Sequence, residues 1–320
     1  MAVASNRNRQ DAGARPRVGV SSCLLGEQVR FNGGHSRYRF LTEELGPYVD
    51  WVPCCPEMEI GLGAPRETLR LTVDGHLVSR GGGVDHMAAM GRLPLPAGLD
   101  GYVFKAKSPS CAIHGIPRYA ASGQPSDRRG RGVFAQRMIA RFPLLPTEDE
   151  GRLNDAVLRE EFTERVFAFA RLRELLGAPW GPRDMVSFHA RHKLRLLAHD
   201  PARYRQAGRI VAAAGIAPRE ATEVAYCGAF QAAMITRASR GRNANALYHA
   251  FSRVGRELGV RRRADLLARI ESYRHGTDPL SVPIAILAHY ASDTELPWLA
   301  GQTYLEPFSA ALRLRHSIPR

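Results

Sequence analysis

Cysteine and lysine are both scarce in this chain of 320 residues. Five cysteines, an odd number, argue against a disulfide-stapled scaffold and for a reducing compartment, so the expected localisation is cytoplasmic. None of the five stands at C-x-x-C spacing, which deprives a structural zinc site of its usual ligand pairs. No run of about 18 apolar residues occurs, so no membrane span is expected. The opening stretch MAVASNRNRQDAGARPR carries arginine and lacks an apolar core, so it does not read as a secretory signal. Residues 1–16 are expected to form a disordered arm. Among the basic residues only Lys105, Lys107 and Lys193 are lysine; arginine supplies the rest of a net charge of +14. A field of that size attracts polyanions and makes nucleic acid a candidate partner. No protein partner is inferred.

What is present falls into two patterns. RVGV at residues 17–20 reads as a strand running into SSCLLG, YVDWVP as a second ending in CCPEMEIGLGAPRE, and DGYVFKAK as a third ending in SPSC. LRLTV-DG-HLVSR reads as a hairpin turning at Asp74-Gly75. RYRFLTEELG and GVFAQRMIARF read as helices. Strands alternating with helices predict an α/β, Rossmann-like domain with a mostly parallel sheet over residues 17–145. FPLLPTEDEGRLND at residues 142–155 reads as an acidic, proline-containing linker. The segments beyond it carry helical periodicity and predict an all-α domain over residues 146–320.

Cys23, the pair Cys54 and Cys55, and Cys111 each follow one of the strand-like runs. Ligands of open α/β sheets bind outside the carboxyl ends of the strands, so parallel strands would bring these thiols to one rim. Neighbours on an extended chain point to opposite faces, so only one of Cys54 and Cys55 is expected to reach it. Single thiols from three separate segments suit an iron–sulfur cluster better than zinc, and three ligands leave one iron open as a Lewis acid. From spacing alone, cysteines dispersed through a core are the alternative.

VSSCLLGEQVRFNGG, VPCCPEMEIGLGAPRE and KAKSPSC, in that order, resemble the motifs of the thiouracil desulfidase family over roughly residues 17–142. The second half, with FHARHKLRLLAHD, PLSVPIAILAHY and YLEP, is similar to a helical domain often fused behind that one. The resemblance implies a 4Fe–4S cluster held by three cysteines. Cys23 matches S-x-C-L-L-G, Cys55 is the cysteine directly before Pro-Glu, and Cys111 matches S-P-S-C. It also implies Glu57 and Ser108 as catalytic residues, with Ser110 the competitor of Ser108. Cys54 falls where the family usually has another residue and reads as a small buried hydrophobe, as does Cys227. Where the family commonly has glycine after the third cysteine, this chain has Ala112, which puts the local turn in question. Two-domain proteins of this kind resemble desulfidases acting on 4-thiouridine in tRNA. A thiocarbonyl sulfur is a soft donor suited to an open iron, and a carboxylate beside it can manage the protons of an attacking water. The implied products are uridine and sulfide, with no net redox change.

Lys105, Lys107 and Arg66 are candidate substrate contacts, and the Gly33-Gly34 loop is a place for backbone to approach a base. The densest basic stretch holds Arg237, Arg240, Arg242, Arg253, Arg256, Arg261, Arg262 and Arg263 against one acid, Glu257, and is the candidate RNA contact. Lys193 joins it as a candidate, on a helix face shared with His189 and His192. Three other readings stay open. The enzyme could use free thiouracil or thionucleosides, the protein could be a non-catalytic metal-containing RNA-binding protein, or it could insert sulfur rather than remove it. The missing G-x-x-x-x-G-K-[ST] loop weakens the last.

Overall fold

The computed structural model describes residues 15–293 and 297–314. The expected arm lies outside these as far as residue 14. Its last two residues are built into the fold: Arg15 pairs with Asp50, and the Asp50 amide donates to the Pro16 carbonyl at 2.8 Å. The chain divides into two compact units, with the division between Phe162 and Thr163.

The first unit is α/β and contains two four-stranded sheets. Strands β1 (Arg17–Ser21), β2 (Asp50–Cys54), β5 (Gly101–Phe104) and β8 (Thr147–Asp149) form an all-parallel sheet in the order β2-β1-β5-β8. β1 and β5 are the central pair and are almost wholly buried, as unbroken apolar runs require. β2 carries Pro53 and is an edge strand, where a missing N–H costs nothing. Gly19 lets β1 pass under an aromatic ring: a Cβ there would stand 2.2 Å from the Tyr102 ring. Tyr102 in turn stacks on Phe104, with centroids 4.1 Å apart.

The second sheet joins β3 (Leu69–Thr72), β4 (Leu77–Ser79), β6 (Ile116–Tyr119) and β7 (Pro125–Gly130) in the order β4-β3-β6-β7. The hairpin expected at Asp74-Gly75 is its β3–β4 pair, with Gly75 at φ 86°. β6 and β7 form a second hairpin whose polar, arginine-rich sequence gave no strand signal. The short helices α1 (Pro56–Glu59) and α2 (Met87–Arg92) and the longer α3 (Val133–Arg141) complete the unit. RYRFLTEELG forms a π-helical turn, Phe40–Leu45, rather than an α-helix.

The linker expected at residues 142–155 is part of this unit. Its Thr147–Asp149 segment adds β8 to the parallel sheet through Tyr102↔Thr147 pairing, so the division falls later, inside helix α4 (Ala156–Gly177).

The second unit is helical, with α5 (Pro182–His199), α6 (Pro201–Ala213), α7 (Arg219–Ile235), α8 (Arg240–Val254), α9 (Val260–His275), α10 (Ser281–Asp293) and α11 (Pro297–Ala300). α5 lies at its centre: Leu194 and Leu197 enter one core with Leu247, Leu266 and Leu287, while Phe188 and Leu196 enter another with Leu172, Tyr226 and Phe230. The charged Arg195 on α5 is buried because Glu164 and the Thr303 carbonyl accept from it. Among the described residues no helix is long and apolar enough to cross a membrane.

Candidate active site

Parallel pairing of β2, β1 and β5 puts their carboxyl ends on one side of the sheet, and all three segments implicated by the sequence leave from there. β1 runs into a tight turn, Ser22–Leu25, that carries Cys23 and closes at Gly26 with φ 104°. The Cys23 carbonyl accepts from Gly26 and Ser36, which folds the following loop back over the rim. β2 ends at Cys54, and Cys55 is the residue that caps α1. After β5, the Ser108 Oγ accepts from the amides of Ser110 at 3.2 Å and Cys111 at 3.1 Å, and this hydroxyl turn presents Cys111.

The three thiols feel one another's charge: Cys55 and Cys23 both act on Cys111, and Cys55 acts on Cys23. Burial pushes the Cys23 thiol up to about 11 against the pull of Lys105, and burial, with Glu57 adding, raises Cys111 well above its usual range. Cys55 is also raised by burial, while the amides of Met58 and Glu57 at the start of α1 pull it down. Cys54 belongs to an apolar cluster with Tyr102, Phe104 and Phe134 that Cys111 also borders, and its strongest polar neighbours are Glu59 and Tyr102. Alternation along β2 and its end thus separates the adjacent thiols.

Glu57 is 9% exposed, an unusual degree of burial for a carboxylate. Arg66 accounts for it, approaching Oε2 with Nε at 2.8 Å and NH2 at 2.6 Å. Its Nη1 donates to the Val29 carbonyl at 2.9 Å and the Gly63 carbonyl at 2.7 Å. Arg66 is therefore committed to holding Glu57. The other carboxylate oxygen, Oε1, accepts from the Ser108 Oγ at 3.4 Å. A continuous chain runs from Arg66 through Glu57 and Ser108 to the Cys111 amide. Ser110 is fully buried, and among the described residues its Oγ has no hydrogen-bond partner.

Lys105 donates its amide to Ser21 Oγ at 3.0 Å, and its ammonium pairs with Glu150. Glu150 also accepts from the Ala106 amide at 2.7 Å. Glu150 follows β8, inside the stretch that reads as a linker, so the sequence gave no reason to place it here. Lys107 is exposed and holds a left-handed φ of 62°, uncommon outside glycine. Gly33 takes φ 75°, and the loop closes through Gly33 to the Arg30 carbonyl at 2.9 Å and Arg30 to the Gly34 carbonyl at 3.1 Å. That loop carries Phe31, 41% exposed, whose carbonyl accepts the Arg66 amide at 2.7 Å. Sequence reasoning missed Phe31; an aromatic flanked by Arg30 and a Gly-Gly pair was the available signal. Ala112 is not in the left-handed region, and its methyl is buried with Leu71, Leu77 and Ile116. Gly132 instead gives way: a Cβ there would stand 2.5 Å from the Ser110 carbonyl group.

A family model described as 2-thiouracil desulfurase matches residues 18–150, and a model described as a protein of unknown function (DUF1722) matches residues 193–309. The chain is 30% identical over 157 residues to the uncharacterized protein YbgA of Escherichia coli (strain K12), covering 48% of this chain and 91% of that one. The chain belongs with the YbgA-like proteins, and its residues 18–150 form a domain matching the 2-thiouracil desulfurase family model. A solved structure titled as the [4Fe-4S]-dependent thiouracil desulfidase TudS is 24% identical, covering 46% of this chain and 98% of that chain, with a TM-score of 0.37.

In the YbgA-like part the candidate cations separate. Arg261, Arg262 and Arg263 are exposed on the first turn of α9. Arg262 lies over Tyr290 and Arg263 over Phe251. The Arg237 carbonyl accepts from Arg242, and Arg240 packs near Gly276. Lys193 sits elsewhere, on α5 beside Trp298. Of its expected companions, His192 is buried against Phe188, and His189 stacks on Tyr204.

Proposed function

We propose that this protein removes sulfur from 4-thiouridine in tRNA, with Cys23, Cys55 and Cys111 holding a 4Fe–4S cluster. The observation that carries the reading is the meeting of three thiols from separate strand ends beside the Arg66–Glu57–Ser108 chain. The donor set fits the group. Thiols are the preferred ligands of iron–sulfur clusters. Among the described residues no three His, Cys, Asp or Glu side chains close around a single ion, and a polynuclear group spans a wider gap. The orphaned Ser110 Oγ next to Cys111 offers a donor to a sulfur acceptor.

When bound, the cluster supplies a Lewis-acidic iron for the soft thiocarbonyl sulfur. The protein's own groups do the rest. Arg66 fixes Glu57 through Oε2, leaving Oε1 to face Ser108 and the substrate side. Glu57 takes a proton from a water as its oxygen bonds to C4 of the base, and returns protons as the C–S bond breaks. Thiocarbonyl plus water becomes carbonyl plus hydrogen sulfide, so atoms balance and no electrons are exchanged. The Lys105 charge is met by Glu150, so Lys107, exposed after β5, is the lysine that sets positive charge at the rim for an anionic site and a phosphate-bearing substrate. A tRNA base must leave its stack to arrive there, at a cost of a few kcal/mol that contacts elsewhere on the RNA offset. The chain's net charge of +14 and its second, helical unit favour such contacts.

The test is turnover by anaerobically reconstituted protein. Loss of the near-ultraviolet absorbance of 4-thiouridine in tRNA, with sulfide release abolished in Cys111→Ala, supports the reading. The family description favours a second one, in which free thiouracil is the substrate. Turnover of 2- or 4-thiouracil but not of tRNA would establish that one instead. A loaded cluster with neither activity overturns both.

A further inference from the structure

The arginines prominent in the sequence draw attention to α9, but the YbgA-like unit carries a different cationic surface built around Lys193. Its ammonium lies 6.0 Å from the centre of the half-buried Trp298 ring, and the Arg253 guanidinium lies over the same ring at 4.6 Å. Two cations thus share one aromatic ring. Desolvation and Arg253 lower the Lys193 pKa. Burial lowers the pKa of His249 on α8 and of His189 on α5, and the Lys193 charge lowers both further.

The surface continues along α6. His189 stacks on Tyr204 with planes 3° apart, and its Nε2 lies 3.6 Å from where a Gly208 Cβ would be. Tyr204, Arg205, Gly208, Arg209 and Ala212 line a shallow cleft on that helix. Among the described residues, Arg205, Arg209, Lys193 and Arg253 have no carboxylate partner.

Cations set beside aromatic rings, with no carboxylate partner among the described residues, are what an unpaired polynucleotide requires. Phosphates meet the charges, and bases stack on the rings without regard to sequence. A duplex would satisfy the charges and leave the rings idle. On α8, Phe251, which lies under Arg263, is two residues from Arg253, so the two point different ways around the helix. The Lys193 surface and the α9 arginines can therefore be tested separately.

We propose that the Lys193–Arg253–Trp298 cluster, continued by Tyr204, Arg205 and Arg209, is where the helical unit grips unpaired nucleotides of its RNA. This rests on the tRNA reading above and names the surface that serves it.

The experiment uses the full-length protein and a fluorescent single-stranded oligoribonucleotide, with a fully paired RNA hairpin as comparison, read by anisotropy. Lys193→Gln with Arg253→Gln is expected to weaken single-strand binding at least tenfold. The slope of log affinity against log salt should fall by about 1.4, since each phosphate contact on a single strand contributes about 0.7. Trp298→Ala should cost about five- to a hundredfold, with recovery in Trp298→Tyr. Replacing Arg261, Arg262 and Arg263 by glutamine should change binding less than threefold.

A second measurement needs no variant. Lys193 is one of three lysines in the chain, so its acetylation rate can be followed by mass spectrometry, and RNA should slow it. If the α9 variant loses binding while the Lys193 and Arg253 variant keeps it, or if RNA leaves Lys193 reactivity unchanged, the proposal is wrong and the tRNA reading survives. If the wild-type protein binds neither oligoribonucleotide nor tRNA, both fall.

Discussion

Glu57 and Arg66 show how a short motif becomes a working geometry. The guanidinium uses up one carboxylate oxygen and leaves the other for Ser108. Glu57→Gln keeps the shape and removes the proposed base, so turnover is expected to fall at least about a hundredfold while the absorbance of the proposed cluster is retained. Measuring sulfide release and the visible spectrum on one sample separates the two effects. Phe31 makes a different demand. An exposed ring on a loop tied to Arg66 suits stacking against a planar thiobase, so Phe31→Ala should raise KM several-fold with little change in kcat, and Phe31→Tyr should restore it. Steady-state kinetics on the active substrate decide this. At this scale the motifs singled out Cys23, Cys55, Cys111, Glu57 and Ser108, and the structure places all five at the carboxyl ends of the parallel strands, where their proposed roles await the tests above. Arg66 could be named but its partner could not, because the Glu57 pair forms only when the loop before Arg66 folds back. Glu150 was invisible, since nothing local distinguishes it from the acids around it.

Among the elements, the turn that carries Cys111 depends on a glycine far along the chain. The Gly132 Cα packs against the backbone of Ser110 and Cys111, with no side chain that could move aside. Gly132→Ala is expected to cost about 1–3 kcal/mol and to loosen the Cys111 turn. Thermal unfolding reads the first effect and iron content the second. The strands of the parallel sheet were legible because buried central strands read as apolar runs. β7 was not, being a surface hairpin partner rich in arginine, and neither was β8, whose three residues pair with β5 despite two acids. In the helical unit, burial pushes His199 down to about 4 and His192 well below its usual range. Both stay neutral in the folded protein while the unfolded chain takes up protons near pH 6.5. Between pH 6.5 and 4 the unfolded state therefore binds more protons, and stability falls as pH falls, by at most about 1.4 kcal/mol per pH unit for each histidine. Unfolding midpoints across that range should show the decline, and His199→Gln should flatten it.

For the molecule as a whole, the strand order has a consequence for folding. Cys23, Cys55 and Cys111 are far apart in sequence but lie at the ends of three adjacent strands. A group bonded to all three is a three-way cross-link, closing two long loops at once in the way a pair of disulfides would. It removes far more freedom from the unfolded chain than from the folded one. Because ligands that bind only the native state add their binding free energy to stability, the loaded first unit should unfold at higher urea than the empty one. The helical unit contains none of the three thiols, and its unfolding midpoint should stay put. Urea titrations with and without the cluster, following Trp51 fluorescence for the first unit, test this. With the proposed cluster as that cross-link, a cell short of iron would lose more than turnover: the sheet itself would open more often, and the protein's lifetime would come to track the iron supply.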